Sequence, residues 1–84
     1  MYGVFLERAA ERDLRQLPAR LQNRIISAIQ ALSDEPRPDR CRKLTGSARD
    51  WRIRVSDYRI VYEIDDNAKE VRVNRVRHRR EVYR

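Results

Sequence analysis

The sequence predicts an α+β domain in which an N-terminal strand and a helical hairpin pack on one face of a small, mostly antiparallel sheet. Three observations carry that prediction. Trp51 to Ile64 alternates apolar and polar residues on both sides of Ser56-Asp57, as two half-buried strands joined by a tight turn do. Leu21, Ile25, Ala28, Ile29 and Leu32 recur with the spacing of a single buried helical stripe. The patterns follow one another as strand, helix, helix and strand meander, the order of a sheet with its helices gathered on one side.

The chain, residues 1–84, reads as one small domain with a thin core. With 39% of its residues charged, surface dominates interior. The single cysteine, Cys41, has no partner for an internal disulfide, which suits a reducing cytoplasm. No apolar run reaches the length of a signal segment or a membrane span. The expectation is a cytoplasmic protein with no membrane partner.

Tyr2 to Leu6 is short and mostly apolar, and reads as the first strand. From Glu7 to Gln16 the spacing turns helical, with Leu6, Ala10, Leu14 and Leu17 on one stripe and Glu11 placed four residues before Arg15 to support the helix. Pro18 suits the first turn of a second helix, predicted from about Ala19 to Ser33. Pro36 and Pro38 end it. The stretch from there to Asp50 has no periodicity, and a loop of that length inside a small domain is often functional. It carries Arg37, Arg40, Arg42, Lys43 and Arg49.

In the hairpin, Trp51, Ile53 and Val55 point one way and Arg52 and Arg54 the other. Beyond the turn, Tyr58, Ile60, Tyr62 and Ile64 alternate with Arg59, Val61 and Glu63. A two-residue turn at Ser56-Asp57 sets Arg54 opposite Arg59 and Arg52 beside Val61. A turn over Asp65 to Lys69 leads into a third meander strand near Glu70 to Val76, where Asn74-Arg75-Val76 breaks the period and marks a bulge or the strand's end. A basic tail follows, from Arg77 to Arg84.

Charge divides the chain in two. Residues 1–35 hold five arginines against five acids, whereas residues 36–84 hold fifteen Lys/Arg against eight Asp/Glu, the whole net charge of +7. That is a neutral scaffold followed by a polyanion-binding surface. Like charges opposite one another on a sheet cost stability. An exposed hairpin face spent on Arg52, Arg54 and Arg59 therefore raises the question of which anion sits there, and the planar guanidinium fork suits phosphate oxygens. No group of acids, or of His and Cys, has metal-ligand spacing, and there is neither a Ser-His-Asp set nor a glycine-rich phosphate loop. No cofactor is implied. His78 is the one side chain whose unperturbed pKa lies near neutrality.

The Leu17-Pro18 helical hairpin, Lys43-Leu44-Thr45-Gly46, Trp51-Arg52-Ile53-Arg54-Val55, Asp57-Tyr58-Arg59-Ile60-Val61-Tyr62, and Val76-Arg77-His78-Arg79 with Glu81-Val82-Tyr83 come in a specific order and spacing. In these stretches the chain resembles the RelE/ParE superfamily of bacterial toxins, and within it the RelE-type branch, over essentially its whole length. The resemblance implies the toxin of a type II toxin–antitoxin system. Such a toxin is a metal-independent endoribonuclease that enters the ribosomal A site and cuts mRNA there, by attack of the RNA's own 2′-hydroxyl on the scissile phosphate. It also implies a cognate antitoxin, with the toxin monomeric alone and hetero-oligomeric with that partner.

Carried over position by position, the resemblance gives Arg52, Arg54 and Arg59 the task of holding and polarising the scissile phosphate. Arg79 matches the basic residue of the C-terminal segment, with Arg80 beside it. His78 stands where many relatives have histidine, and Tyr83 matches a tyrosine that stacks on a base or helps activate the attacking hydroxyl. Some members carry lysines at the places of Arg52 and Arg54, and an arginine, unlike a lysine, cannot serve as a base. His78 leads as proton carrier and Tyr83 for base stacking. Arg37, Arg40, Arg42, Lys43, Arg49 and Arg80 are the candidate RNA and ribosome contacts. Two rival readings share the residues: a ParE-like gyrase poison of the same fold, and a plain nucleic-acid-binding module.

Overall fold

The computed structural model describes residues 1–44 and 50–82, and the hairpin of strands β3 (Asp50–Val55) and β4 (Tyr58–Asp65) is its organising feature. Ser56, the first turn residue, has φ 56°, the positive value that twist-compatible hairpin turns require. The register follows: Val55 pairs with Tyr58, Arg54 with Arg59 and Arg52 with Val61. The alternation predicts each of these pairs.

β4 is the central strand of five. On its far side lies β5 (Glu70–His78), antiparallel, and beyond β5 lies β1 (Gly3–Leu6), parallel, from Gly3 against Glu70 to Leu6 against Val73. The outer edge of β3 is covered by β2 (Arg42–Lys43), with Arg42 against Arg52 and Lys43 against Trp51. Sequence reading leaves that segment a loop, since two residues are too few to show a period. It also ends the third strand near Val76, whereas β5 runs on to His78.

The reason is a bulge. The ladder passes from Tyr62 against Val73 to Val61 against Arg75, leaving Asn74 as the extra residue. The register resumes with Ile60 against Val76, Arg59 against Arg77 and Tyr58 against His78. At the other end of this pair, Asp65 Oδ1 accepts the Asn67 and Ala68 N–H groups, each at 3.0 Å, and Lys69 takes φ 57° to close the turn.

The helices α1 (Arg8–Arg15) and α2 (Ala19–Ala31) supply the apolar cover. Pro18 stands at the N-cap of α2, where the absence of an N–H costs nothing, and Arg15 reaches Glu11 at 3.3 Å on the outer side of α1. Ala10, Leu14, Ile25, Ile29 and Leu32 are buried against Ile53, Val55, Ile60, Tyr62, Ile64, Val71, Val73 and Val76. Each fully buried aliphatic contributes about 1.5–3 kcal/mol of transfer free energy. Tyr62 is wholly inside, and its hydroxyl donates to the Pro36 carbonyl at 2.8 Å, tying the exit of α2 to the central strand. That burial pushes the Tyr62 phenol far above its ordinary value. The apolar face of the sheet is thus spent on the core. Its polar face is not.

Candidate functional site

The polar face is set by parity. Arg52 and Arg54 on β3 and Arg59 on β4 share it because their ladder partners alternate with the core residues Ile53, Val55 and Ile60. β2 adds Arg42 beside Arg52, and Arg40 stands just before that strand. These five arginines line one cavity of about 180 Å³. Arg54 Nε donates to the Ser56 carbonyl at 3.0 Å, which steers its guanidinium over its own turn. Arg42 Nη1 donates to the Cys41 carbonyl at 3.0 Å. Arg59, in the middle of the sheet, is only 9% exposed. Guanidiniums keep their protons at any physiological pH, so this is permanent positive charge. Held in partly desolvated surroundings, it acts more strongly on an anion than it does in open water.

The other candidates are distributed elsewhere. Arg37 donates to both carboxylate oxygens of Asp66, at 3.2 and 2.8 Å, and lies 5.2 Å over the Trp51 ring. The Arg37 hydrogen bonds, joined by the Tyr2 hydroxyl at 2.7 Å, pull Asp66 down to about 2. Arg37 and Lys43 line a second cavity of about 380 Å³ with Trp51, Asp65, Asp66 and Asn67. Neither lines the arginine cavity, which among the described loop contacts holds Arg40 and Arg42. Arg49 and Tyr83 lie outside the described residues.

His78 is on the other face. Because β5 continues through it, alternation sends Arg77 to the polar side and His78 to the side of Tyr58, against which it packs edge-on at 5.3 Å. It lines a third cavity of about 270 Å³ with Asp13, Gln16, Leu17, Tyr58 and Arg75. Its Nδ1 accepts the Arg80 N–H at 3.3 Å. Arg79 and Arg80 are exposed at the start of the short helix α3 (Arg79–Val82), whose first N–H donates to the Asp57 carbonyl at 2.8 Å and so docks on the hairpin turn.

Two residues missed in the sequence matter to this arrangement. Arg77 stands opposite Arg59, and continuing the alternation past the bulge is the signal that finds it. Asp13 on α1 sits where β1 has stopped and the edge of β5 is open. It accepts Arg75 Nε at 2.8 Å, Arg75 Nη2 at 3.1 Å and the Val76 N–H at 2.9 Å. Burial raises its pKa, but the hydrogen bonds from Arg75 and Val76 and the positive charge of Arg75 and Arg77 outweigh that, so the net shift is downward. No local pattern announces a contact 62 residues away in sequence.

The family model of the ParE toxin of type II toxin–antitoxin systems (parDE) matches residues 4–83. The chain belongs to the RelE/ParE family of toxins. It is 38% identical to Toxin RelG of Mycobacterium tuberculosis over 88 aligned positions, which cover 99% of this chain and 97% of that one. Its fold is similar to the RelE–RelB complex of Pyrococcus horikoshii OT3, with TM-score 0.83 and 25% identity over 93% of this chain and 94% of the other. It is likewise similar to the RelBE2 toxin–antitoxin complex of M. tuberculosis (TM-score 0.82, 33% identity, 92% and 96% covered). The isolated Escherichia coli RelE toxin also matches, with TM-score 0.81 and 26% identity over 99% and 92% of the two chains. Two helices on a five-stranded, mostly antiparallel sheet are the shared architecture.

On this RelE/ParE-family scaffold, the polar face can do one kind of chemistry well. It can grip phosphate oxygens with several planar donors and stabilise negative charge that grows on them. Among the described residues every group lining the cavity is a guanidinium, which neither takes nor gives a proton.

Proposed function

We propose that this toxin is a ribosome-dependent, metal-independent endoribonuclease that cuts mRNA in the A site through attack of the 2′-hydroxyl on the scissile phosphate. The observation that carries the reading is the cavity of Arg40, Arg42, Arg52, Arg54 and Arg59, with Arg59 almost buried at its base. A phosphorane concentrates charge on its non-bridging oxygens, and preorganised cations are the largest single contribution to lowering that barrier. Arg52, Arg54 and Arg59 supply this charge, and Arg40 and Arg42 hold the adjoining backbone. The 2′-hydroxyl still needs a base and the 5′-oxygen a proton. With His78 packed on the opposite face against Tyr58, the reading gives the proton step to Tyr83. Orientation of the mRNA by the ribosome supplies the in-line geometry that a row of arginines does not enforce alone.

The partner in this reading is a cognate antitoxin, as in the RelE–RelB and RelBE2 complexes, whose acidic or amphipathic helix either docks on α1 and α2 or covers the arginine face. Primer extension on a defined mRNA in a purified translation system tests the activity. Cuts inside A-site codons with wild type, absent without ribosomes and lost in Tyr83→Phe, support it. The matching family model carries the ParE name, so DNA gyrase belongs in the same experiment. Intact mRNA with supercoiling blocked would move the chain to gyrase poisoning and make the arginine face a binding surface.

A further inference from the structure

Arg77 lies in the Val76-Arg77-His78-Arg79 stretch but is given no role of its own there, and it falls in what reads as a basic tail. The structure gives it a fixed place instead. Arg54 pairs with Arg59 and Arg59 pairs with Arg77, so one transverse row of three arginines crosses β3, β4 and β5. With strands about 4.8 Å apart, the row spans about 10 Å from one end to the other. Its middle member is the buried Arg59, and Arg77 itself is half-buried.

The bulge at Asn74 is what puts Arg77 there. Were the ladder to continue unbroken from Tyr62 against Val73, Val76 would fall opposite Arg59 and Arg77 opposite Tyr58. A one-residue slip turns every later side chain to the other face. The extra residue therefore does two things at once: it keeps Val76 in the core at 3% exposure and sends Arg77 to the face of Arg54 and Arg59. Asp13 is the nearby acid on this edge, and its oxygens are already occupied by Arg75 and the Val76 N–H. It therefore pins the strand that carries Arg77, whose charge it also feels.

We propose that Arg77 is a further phosphate-binding residue of this toxin, holding a backbone phosphate of single-stranded RNA beside the one seated at Arg54 and Arg59. The RNA then runs across the strands, from Arg40 and Arg42 at the β2 edge to Arg77 on β5. This rests on the nuclease reading only for the identity of the central phosphate. The row itself binds RNA whether or not RNA is cut.

The test is fluorescence anisotropy of the full-length protein with a short single-stranded RNA whose 2′-hydroxyls are methylated, titrated at several salt concentrations. Arg77→Gln should lower affinity at the lowest salt about tenfold, the loss of one hydrogen-bonded charge contact. It should also reduce the slope of log affinity against log salt by about 0.7, one phosphate fewer on a single strand. Arg77→Lys, which keeps the charge, should restore the slope, and Arg20→Gln on α2 should match wild type. A wild-type slope in Arg77→Gln, with the slope reduced in Arg54→Gln, overturns the proposal, as does a wild-type protein that binds no RNA. Because the probe cannot be cut, failure of the nuclease reading shows separately as intact mRNA on the ribosome.

Discussion

Arg54 and Arg59 face each other directly across the β3–β4 ladder, with Arg77 on the far side of Arg59. Like charges so placed cost stability, on the order of 0.2–1 kcal/mol per pair. On the phosphate-binding reading proposed above, the row serves an anion, and the cost of folding and the task of binding fall on the same side chains.

A bound anion should therefore stabilise the protein. At tenfold above its dissociation constant, a ligand of the folded state adds about 1.4 kcal/mol, several degrees in Tm for a domain of this size. Thermal melts in sulfate and in chloride at matched ionic strength should differ in that direction. The difference should largely vanish in Arg59→Gln.

Asp13 gives a second prediction. Asp13→Asn keeps an acceptor for the Val76 N–H but loses the paired contact to Arg75, and should cost about 1 to 2 kcal/mol, reduced somewhat because Arg75 is partly exposed. The sign with pH follows from the lowered pKa. The contribution is complete above the unfolded-state value of about 3.9 and is lost as pH falls through the lower folded-state value. Urea unfolding between about pH 2 and pH 7 should show a wild-type acid loss, beginning near pH 4, that is shallower in Asp13→Asn.

Asp66 offers a direct titration. Its carboxyl should titrate at about 2 by NMR, held down first by the Arg37 hydrogen bonds and then by the Tyr2 hydroxyl. Arg37→Gln should return it most of the way to the ordinary carboxylate range, and Tyr2→Phe a smaller part. An unshifted Asp66 in wild type would mean that the Arg37 fork is not formed in solution.

Much of this architecture was legible in the sequence, and the reasons are local. The hairpin register followed from strict alternation around a two-residue turn, while the break at Asn74 marked either a bulge or the strand's end and is the bulge. The two helices followed from their stripes. What escaped has longer-range causes. β2 is two residues long and is defined only by its pairing with Trp51 and Arg52. The last residues of β5 carry no apolar alternation of their own, so Arg77 and His78 read as tail. Their faces, and with them the separation of His78 from the arginines, depend on a register that the bulge resets. Asp13 closes an edge that exists only because β1 is short.

Tyr62 tests the core. Tyr62→Phe leaves the Pro36 carbonyl without its buried donor and should cost about 1 to 2 kcal/mol in urea unfolding while leaving the arginine face unaltered. Its phenol should stay protonated in an alkaline ultraviolet titration until the fold opens, because burial disfavours the phenolate.

The most direct test of the central claim is the single-turnover rate of mRNA cleavage on programmed ribosomes, for wild type and Arg59→Gln. If the arginine face stabilises the transition-state phosphate, the rate should fall on the order of 100-fold while ribosome affinity changes little. Cleavage by Arg59→Gln at the wild-type rate would contradict the account.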